Sequence, residues 1–296
     1  MQKSPRLFFS KEFKSLIIWV APLLFLLAVV VIYPLVRTVY LSFTDATLTG
    51  GWGSWIGLSN YQSLLKSPYF LTALYNSVIY TGVSVFLHVT VAMVVGVLLA
   101  QELRGIHIFR TFILVPYMVP TVVSAFLFKW VFDVSHGAYN LLLVALGVWP
   151  NPIPVFGTIN TAMAAVILLS FWRYMPFTSI LVLARVLAVP KAYYEMATVD
   201  GLSSLQTFRY VTFPQLKGVL KTVLFLRAIW MFGMFDLIQL TTGGGPIRVT
   251  ETLPLLGHRI GFGEFDLGLG SAVYVIMLII LIICFGIYWK YFGGRT

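Results

Sequence analysis

Charge is scarce in this 296-residue chain, with only 10% charged side chains, 10 acidic against 20 basic. A soluble domain carries about a quarter, so an ordinary soluble fold is excluded. Disorder is excluded by the complementary figure, 59% hydrophobic residues, because a disordered segment cannot leave that much apolar surface in water. Cysteine is almost missing, and the single Cys284 can form no disulfide within the chain; in an apolar segment it reads as inert packing. Histidine is sparse too, and His88, His107, His136 and His258 are scattered over different segments, which supports no metal site. The chain has no Gly-Lys pair for a phosphate loop, no His-Glu-x-x-His, no Cys-x-x-Cys and no Gly-x-Ser-x-Gly, so neither catalytic residues nor a metal are expected.

Long apolar runs are abundant. Mean hydropathy is +0.91, and a membrane span needs about 20 mostly apolar residues. Six segments qualify: 16–36, 73–100, 109–132, 159–184, 218–240 and 267–288. The first follows a basic tail, residues 1–15, but its apolar run is too long for a signal peptide and no small-x-small cleavage site follows, so it reads as a retained span. Alternating strand patterns are lacking, so the expectation is an all-α, six-helix membrane bundle covering residues 16–291. Pro116 and Pro120 are expected to kink the third span. Asn76, His88 and Ser124 are expected to hydrogen-bond between helices.

The basic residues orient the bundle. Lys3, Arg6, Lys11, Lys14, Arg104, Arg110, Arg185, Lys191, Arg209, Lys217, Lys221, Lys290 and Arg295 fall on one side; Arg37, Lys66, Lys129, Arg248 and Arg259 fall on the other. Thirteen against five places both termini in the cytoplasm. The surplus of base is thus accounted for without nucleic acid.

One connection, 185–217, is far longer than a turn between spans needs. Pro190 can start a helix, residues 191–199 favour one, and Gly201 can close it in a left-handed cap. A second short helix, 203–210, is expected to stop before Pro214. Glu195-x-Ala197, then Gly201, then Val211-x-Phe213-Pro214 resembles the EAA loop of the permease subunits of binding-protein-dependent ATP-binding cassette (ABC) importers. Met196 stands where that family prefers Ala. The resemblance extends to Gly57-Leu58-x-Asn60-Tyr61, to Ala73-Leu74-x-Asn76, and to Thr242-Gly243-Gly244-Gly245-Pro246 followed by Thr250-Glu251-Thr252-Leu253. These are similar to the carbohydrate-importing, first-type permeases.

The resemblance implies a type I importer permease fold in a bacterial inner membrane. It also implies a heterodimer with a second, similar permease, a pair of ATPase subunits that bind the ATP and magnesium, and a solute-binding protein. It gives this chain no cofactor or hydrolytic activity of its own. Carried onto this sequence, Glu195 would pair with a basic residue of the ATPase, Ala197 would permit close approach, and Gly201 would make the turn, with Asp200 and Pro214 completing the coupling set.

Two arginines lie inside spans, where charge is costly and marks function by default. Ser170, Arg173, Tyr174 and Phe177 share one helical face, and Arg227, Trp230, Met231 and Met234 repeat the spacing. Matched position by position, the sugar-contacting positions of maltose-type permeases fall on these same eight residues, but with neutral residues at 173 and 227. Arginine forks suit carboxylate, sulfonate or phosphate, so an anionic carbohydrate is expected: a uronate oligosaccharide, a sulfonated sugar or a glycerol-phosphate compound. A second reading is that both arginines pair with acids at helix interfaces, supplied by the partner permease because Asp236 is poorly placed for Arg227 on the same helix, and a third is that they snorkel toward the membrane surface. A neutral oligosaccharide, an ion-coupled secondary transporter and a structural membrane protein are the remaining alternatives.

Overall fold

The computed structural model describes residues 11–292, with side chains from 19 to 291. The side chains of the basic tail, and Arg295, lie outside these. Among the described residues the chain is helical, broken only by loops and by two isolated bridges, Thr44 with Trp55 and Thr47 with Asp266.

Four helices are long and apolar enough to cross a membrane: Trp19–Leu41, Pro68–Leu99, Ile159–Leu187 and Leu267–Tyr291. The expected third span is not one helix. Ile106–Met118 and Thr121–Val131 meet at 94°, a break rather than a kink. Its cause is local: Val119 precedes Pro120, is pushed out of helical geometry, and is extended at φ −68°, ψ 129°. The expected fifth span is also corrected. It ends at Phe232, with Gly233 at its end, and a separate short helix, Asp236–Thr241, follows. Glycine's low helix propensity lets the chain turn there. The Phe213–Phe232 helix carries Lys217, Lys221 and Arg227, which keep it outside the strongly apolar set.

The second loop helix does not stop before Pro214. Ser204–Thr207 runs through a π-helical turn, Phe208–Thr212, straight into Phe213–Phe232. Pro214 lacks an N–H and crowds the carbonyl four residues back, and a wider π turn relieves both problems. The first span uses the same device, since the π turn Ala28–Ile32 precedes Tyr33-Pro34.

The 68–99 and 159–187 helices form the most extensive helix pair, joined by the 213–232 helix. They pack tightly at Gly96, where a Cβ would lie 2.7 Å from the Val182 side chain and 2.9 Å from the Ser179 carbonyl. At the end of the bundle opposite the 185–217 loop, amide side chains hold the connections. Asn60 donates to the carbonyls of Ser42 and Thr44 at 3.0 and 2.8 Å. Asn76 donates to those of Arg248 and Glu251, both at 3.0 Å, so its partner is a loop rather than another helix. The Leu253 N–H donates to Ser77 Oγ at 2.8 Å. Buried Glu251 pairs with Arg259 at 2.7 Å.

Candidate transport cavity and coupling surface

The two stripes read from the sequence face one another. Ser170 Oγ lies 3.4 Å from Met231 Sδ, and Arg227 Nε donates to Thr178 Oγ1 at 3.0 Å while Nη2 donates to the Tyr174 carbonyl at 2.8 Å. Three rings surround that guanidinium: Phe177 at 5.2 Å, Trp230 at 5.3 Å and Tyr174 at 5.8 Å. Such contacts offset part of the cost of taking a cation out of water. Arg227 is 2% exposed and, among the described residues, makes no ion pair.

A cavity of 310 Å³ opens beside it, lined by Tyr117, Tyr174, Arg227, Trp230, Met231, Met234 and Asp236 among others. Two of Arg227's five N–H donors bond to its own chain, and the residue lines this space. The exposed Asp236 lines the same cavity without pairing to Arg227. Ser170 and Phe177 flank the lining residues rather than joining them.

Arg173 does not line this cavity. Its Nη1 donates to the main-chain carbonyl of Val119 and to Ser124 Oγ, so it grips the break between the 106–118 and 121–131 helices. No acid partners it among the described residues. Ser124, expected to bond between helices, does so through Arg173 and also donates to Pro120 O at 3.1 Å. His88, given the same expectation, has no hydrogen-bond partner at either ring nitrogen among the described residues.

Sequence reasoning missed Thr178 and Tyr117. Thr178 lies four residues beyond Tyr174 and extends the same stripe, a signal that was available. Tyr117 stacks on Phe177 at 5.3 Å across 60 residues of sequence, and nothing local marks it.

The loop forms a knob at the other end. Pro190 precedes the helix Lys191–Val199. The helix closes in a Schellman motif, with the N–H of Leu202 donating to Ala197 O at 3.0 Å and that of Gly201 to Thr198 O at 3.1 Å. Gly201 has φ +71°, so the turn needs a residue at ease in left-handed backbone. Ser203 and Gln206 then form a capping box that starts the next helix. Arg185 ties this end together, donating to the carbonyl and side-chain oxygens of Gln215 at 3.0 and 2.9 Å. Glu195, Asp200, Gly201 and Pro214 are exposed, but Ala197 is only 3% exposed and packs inward. The outward face instead presents Val199, Leu205 and Met196, at 88%, 77% and 61% exposure.

Comparison with known proteins gives this geometry its context. Residues 92–296 match the family model described as binding-protein-dependent transport system inner membrane component. The chain is 32% identical to the trehalose/maltose transport system permease protein MalF of Thermococcus litoralis, over 92% of this chain and 91% of that one. It is 31% identical to the sulfoquinovosyl glycerol transport system permease protein SmoG of Agrobacterium fabrum, over 88% of this chain and 84% of the relative. Its fold is similar to a chain in the crystal structure of a bacterial ABC transporter involved in the import of the acidic polysaccharide alginate, with TM-score 0.80 and 19% identity over 95% of this chain and 96% of that one. The all-helical bundle, the patterned loop and these matches agree: the chain belongs to the binding-protein-dependent transport inner membrane components, the permease subunits of ABC importers.

Proposed function

We propose that this permease carries an anionic carbohydrate across a bacterial inner membrane by alternating access. It works as one half of a heterodimer with a second permease, with a pair of ATPase subunits at the 185–217 loop and a solute-binding protein at the other end. Both termini then face the cytoplasm, and the 213–232 helix and the broken 106–131 segment complete six crossings. The observation that carries the cargo reading is Arg227. A buried guanidinium with no acid partner among the described residues, ringed by aromatic faces, opens on a cavity. Buried charge is retained where something pairs with it, and a uronate carboxylate or a sulfonate supplies that partner while Tyr174 and Trp230 stack on the sugar. Asp236 reads the hydroxyls at the same cavity.

Arg173 supports this site indirectly, by holding the broken segment that places Tyr117. The similarity to permeases named for sulfoquinovosyl glycerol and for alginate import is in keeping with an anionic cargo. The similarity to a trehalose/maltose permease favours the second reading, a neutral oligosaccharide. In the coupling role, Glu195, Asp200, Gly201 and Pro214 face the ATPase with Met196, Val199 and Leu205. Ala197 acts one step removed, by letting the knob pack tightly on its own chain.

The test is uptake by the full importer reconstituted in proteoliposomes, comparing a uronate oligosaccharide with a neutral one of equal length. Preferential uptake of the uronate, lost in Arg227→Ala, is expected. Equal uptake of both, unaffected by the substitution, overturns the anionic reading and leaves the neutral one.

A further inference from the structure

The 68–99 helix buries a row of polar groups on the face it turns to the bundle. Tyr80, Ser84 and His88 follow one another at four-residue intervals and share one face, and each is 0% exposed. Among the described residues, the Tyr80 hydroxyl, Ser84 Oγ and both His88 nitrogens make no hydrogen bond of normal geometry. Three other hydroxyls on the same helix bond back to the carbonyl four residues earlier, Thr72 to Pro68 at 2.9 Å, Ser77 to Ala73 at 2.8 Å and Thr90 to Phe86 at 2.6 Å, while Thr81, next to Tyr80, shares the row's lack of a partner among the described residues. Ser84 has that option and does not take it. Unpaired polar groups inside a bundle are rare because no water replaces what folding removed.

The row faces the transport cavity's own residues. His88 stacks on Phe171 at 6.3 Å and meets the Tyr174 ring edge-on at 6.4 Å. Tyr80 belongs to one buried cluster with Met231, against which Tyr174 and Met234 pack. Ser170 neighbours both, with its side chain beside Tyr80 and its main chain beside His88.

We propose that Tyr80, Ser84 and His88, together with Ser170, form a wall that binds sugar hydroxyls along the path, closed here between the 68–99 and 159–187 helices and opened in the alternate state of the bundle. A phenol, a hydroxyl and an imidazole each donate and accept, as a sugar hydroxyl does, so the wall complements a neutral part of the cargo while Arg227 takes its charge. The inference rests on the carbohydrate reading but not on the cargo being anionic.

The experiment uses the complete reconstituted importer with Cys284→Ser and Ser84→Cys in this chain. A charged, membrane-impermeant methanethiosulfonate is applied in the resting state and after vanadate trapping of the ATPase. Labelling about tenfold faster in one state is expected for a wall that alternately closes and hydrates, while Val78→Cys, on the exposed face, shows no such dependence. No labelling in either state, or equal labelling in both, overturns the proposal.

Tyr80→Phe and His88→Phe, which keep the ring shape, give a second readout. Each should raise the uptake KM about fivefold, the loss of one neutral hydrogen bond. A lowered melting temperature with KM unchanged marks a purely structural row and overturns the proposal. If uptake proves neutral-selective, the anionic reading fails while these outcomes remain decisive for the wall.

Discussion

Arg173 donates to the carbonyl of Val119 across 54 residues of sequence, at the point where Pro120 forbids the helix to continue. A broken helix leaves carbonyls without intrahelical partners, and in an apolar bundle a side chain must supply the missing donor. A charged residue in a span is here an element of architecture.

Replacing Arg173 by Ala should therefore act on stability more than on cargo. Leaving the Val119 carbonyl and Ser124 without this donor costs about 1–3 kcal/mol, read as a lower melting temperature of the purified complex. Arg173→Lys should recover part of it, since a single ammonium reaches one acceptor well but lacks the fork. The KM for uptake should move less than in Arg227→Ala.

Thr178 has the opposite signature. Its hydroxyl accepts from Arg227 Nε at 3.0 Å, and Thr178→Val keeps the shape but removes a bond to a charged donor worth about 1.5–3 kcal/mol. The guanidinium then loses its orientation, and uptake KM should rise about tenfold or more. An unchanged KM would show that Arg227 does not need this anchor.

At the knob, Gly201→Asn should retain coupling, because Asn tolerates left-handed backbone. Gly201→Val should lose it, because a β-branched residue is a genuine outlier at φ +71°. Nothing lies within 4 Å of a Cβ built at Gly201, so conformation and not space decides between the two variants. The measurement is uptake per ATP hydrolysed in proteoliposomes.

Val199→Glu and Leu205→Glu change residues that touch little of their own chain, and surface substitutions of this kind usually alter folding by under about 0.5 kcal/mol. The permease pair should assemble normally yet retain less ATPase on co-purification. Full retention would move the ATPase contact elsewhere.

Gly96→Ala places a methyl 2.7 Å from Val182, and overpacking a tight core costs about 1–3 kcal/mol. Val182→Ala should rescue it only in part, because the Val182 Cβ and the Ser179 carbonyl, at 2.9 Å, remain in the way.

What was legible follows from range. Pro190 and Gly201 marked both ends of a helix because start and stop signals are local chemistry. The Ser170 and Arg227 stripes were readable because faces repeat every 3.6 residues, and they do meet through Ser170 and Met231. The partners of Arg173 were not readable, since a backbone carbonyl leaves no trace in a residue's identity. Nor was the inward turn of Ala197, which depends on how the knob packs on the π turn after Thr207. A proline signals that a helix is disturbed, yet its neighbours decide the result: Pro214 is absorbed by a π turn, whereas Pro120 ends one helix at 94° to the next.

The Asn76 amide has a mechanical meaning. It binds the Arg248 and Glu251 carbonyls near one end of the 68–99 helix, with Ser77 holding the Leu253 N–H beside it. At the other end the helix hands over to the exposed pair Glu102 and Lys191, 3.0 Å apart, which water screens. One end is tied to loops by hydrogen bonds, while the other is packed at Gly96 against Val182 and Ser179, so there the 68–99 and 159–187 helices tilt as a pair. At about 1.5 Å per residue the stretch from Asn76 to Leu99 is about 35 Å long, so a tilt of about 5° about Asn76 sweeps the loop end through about 3 Å.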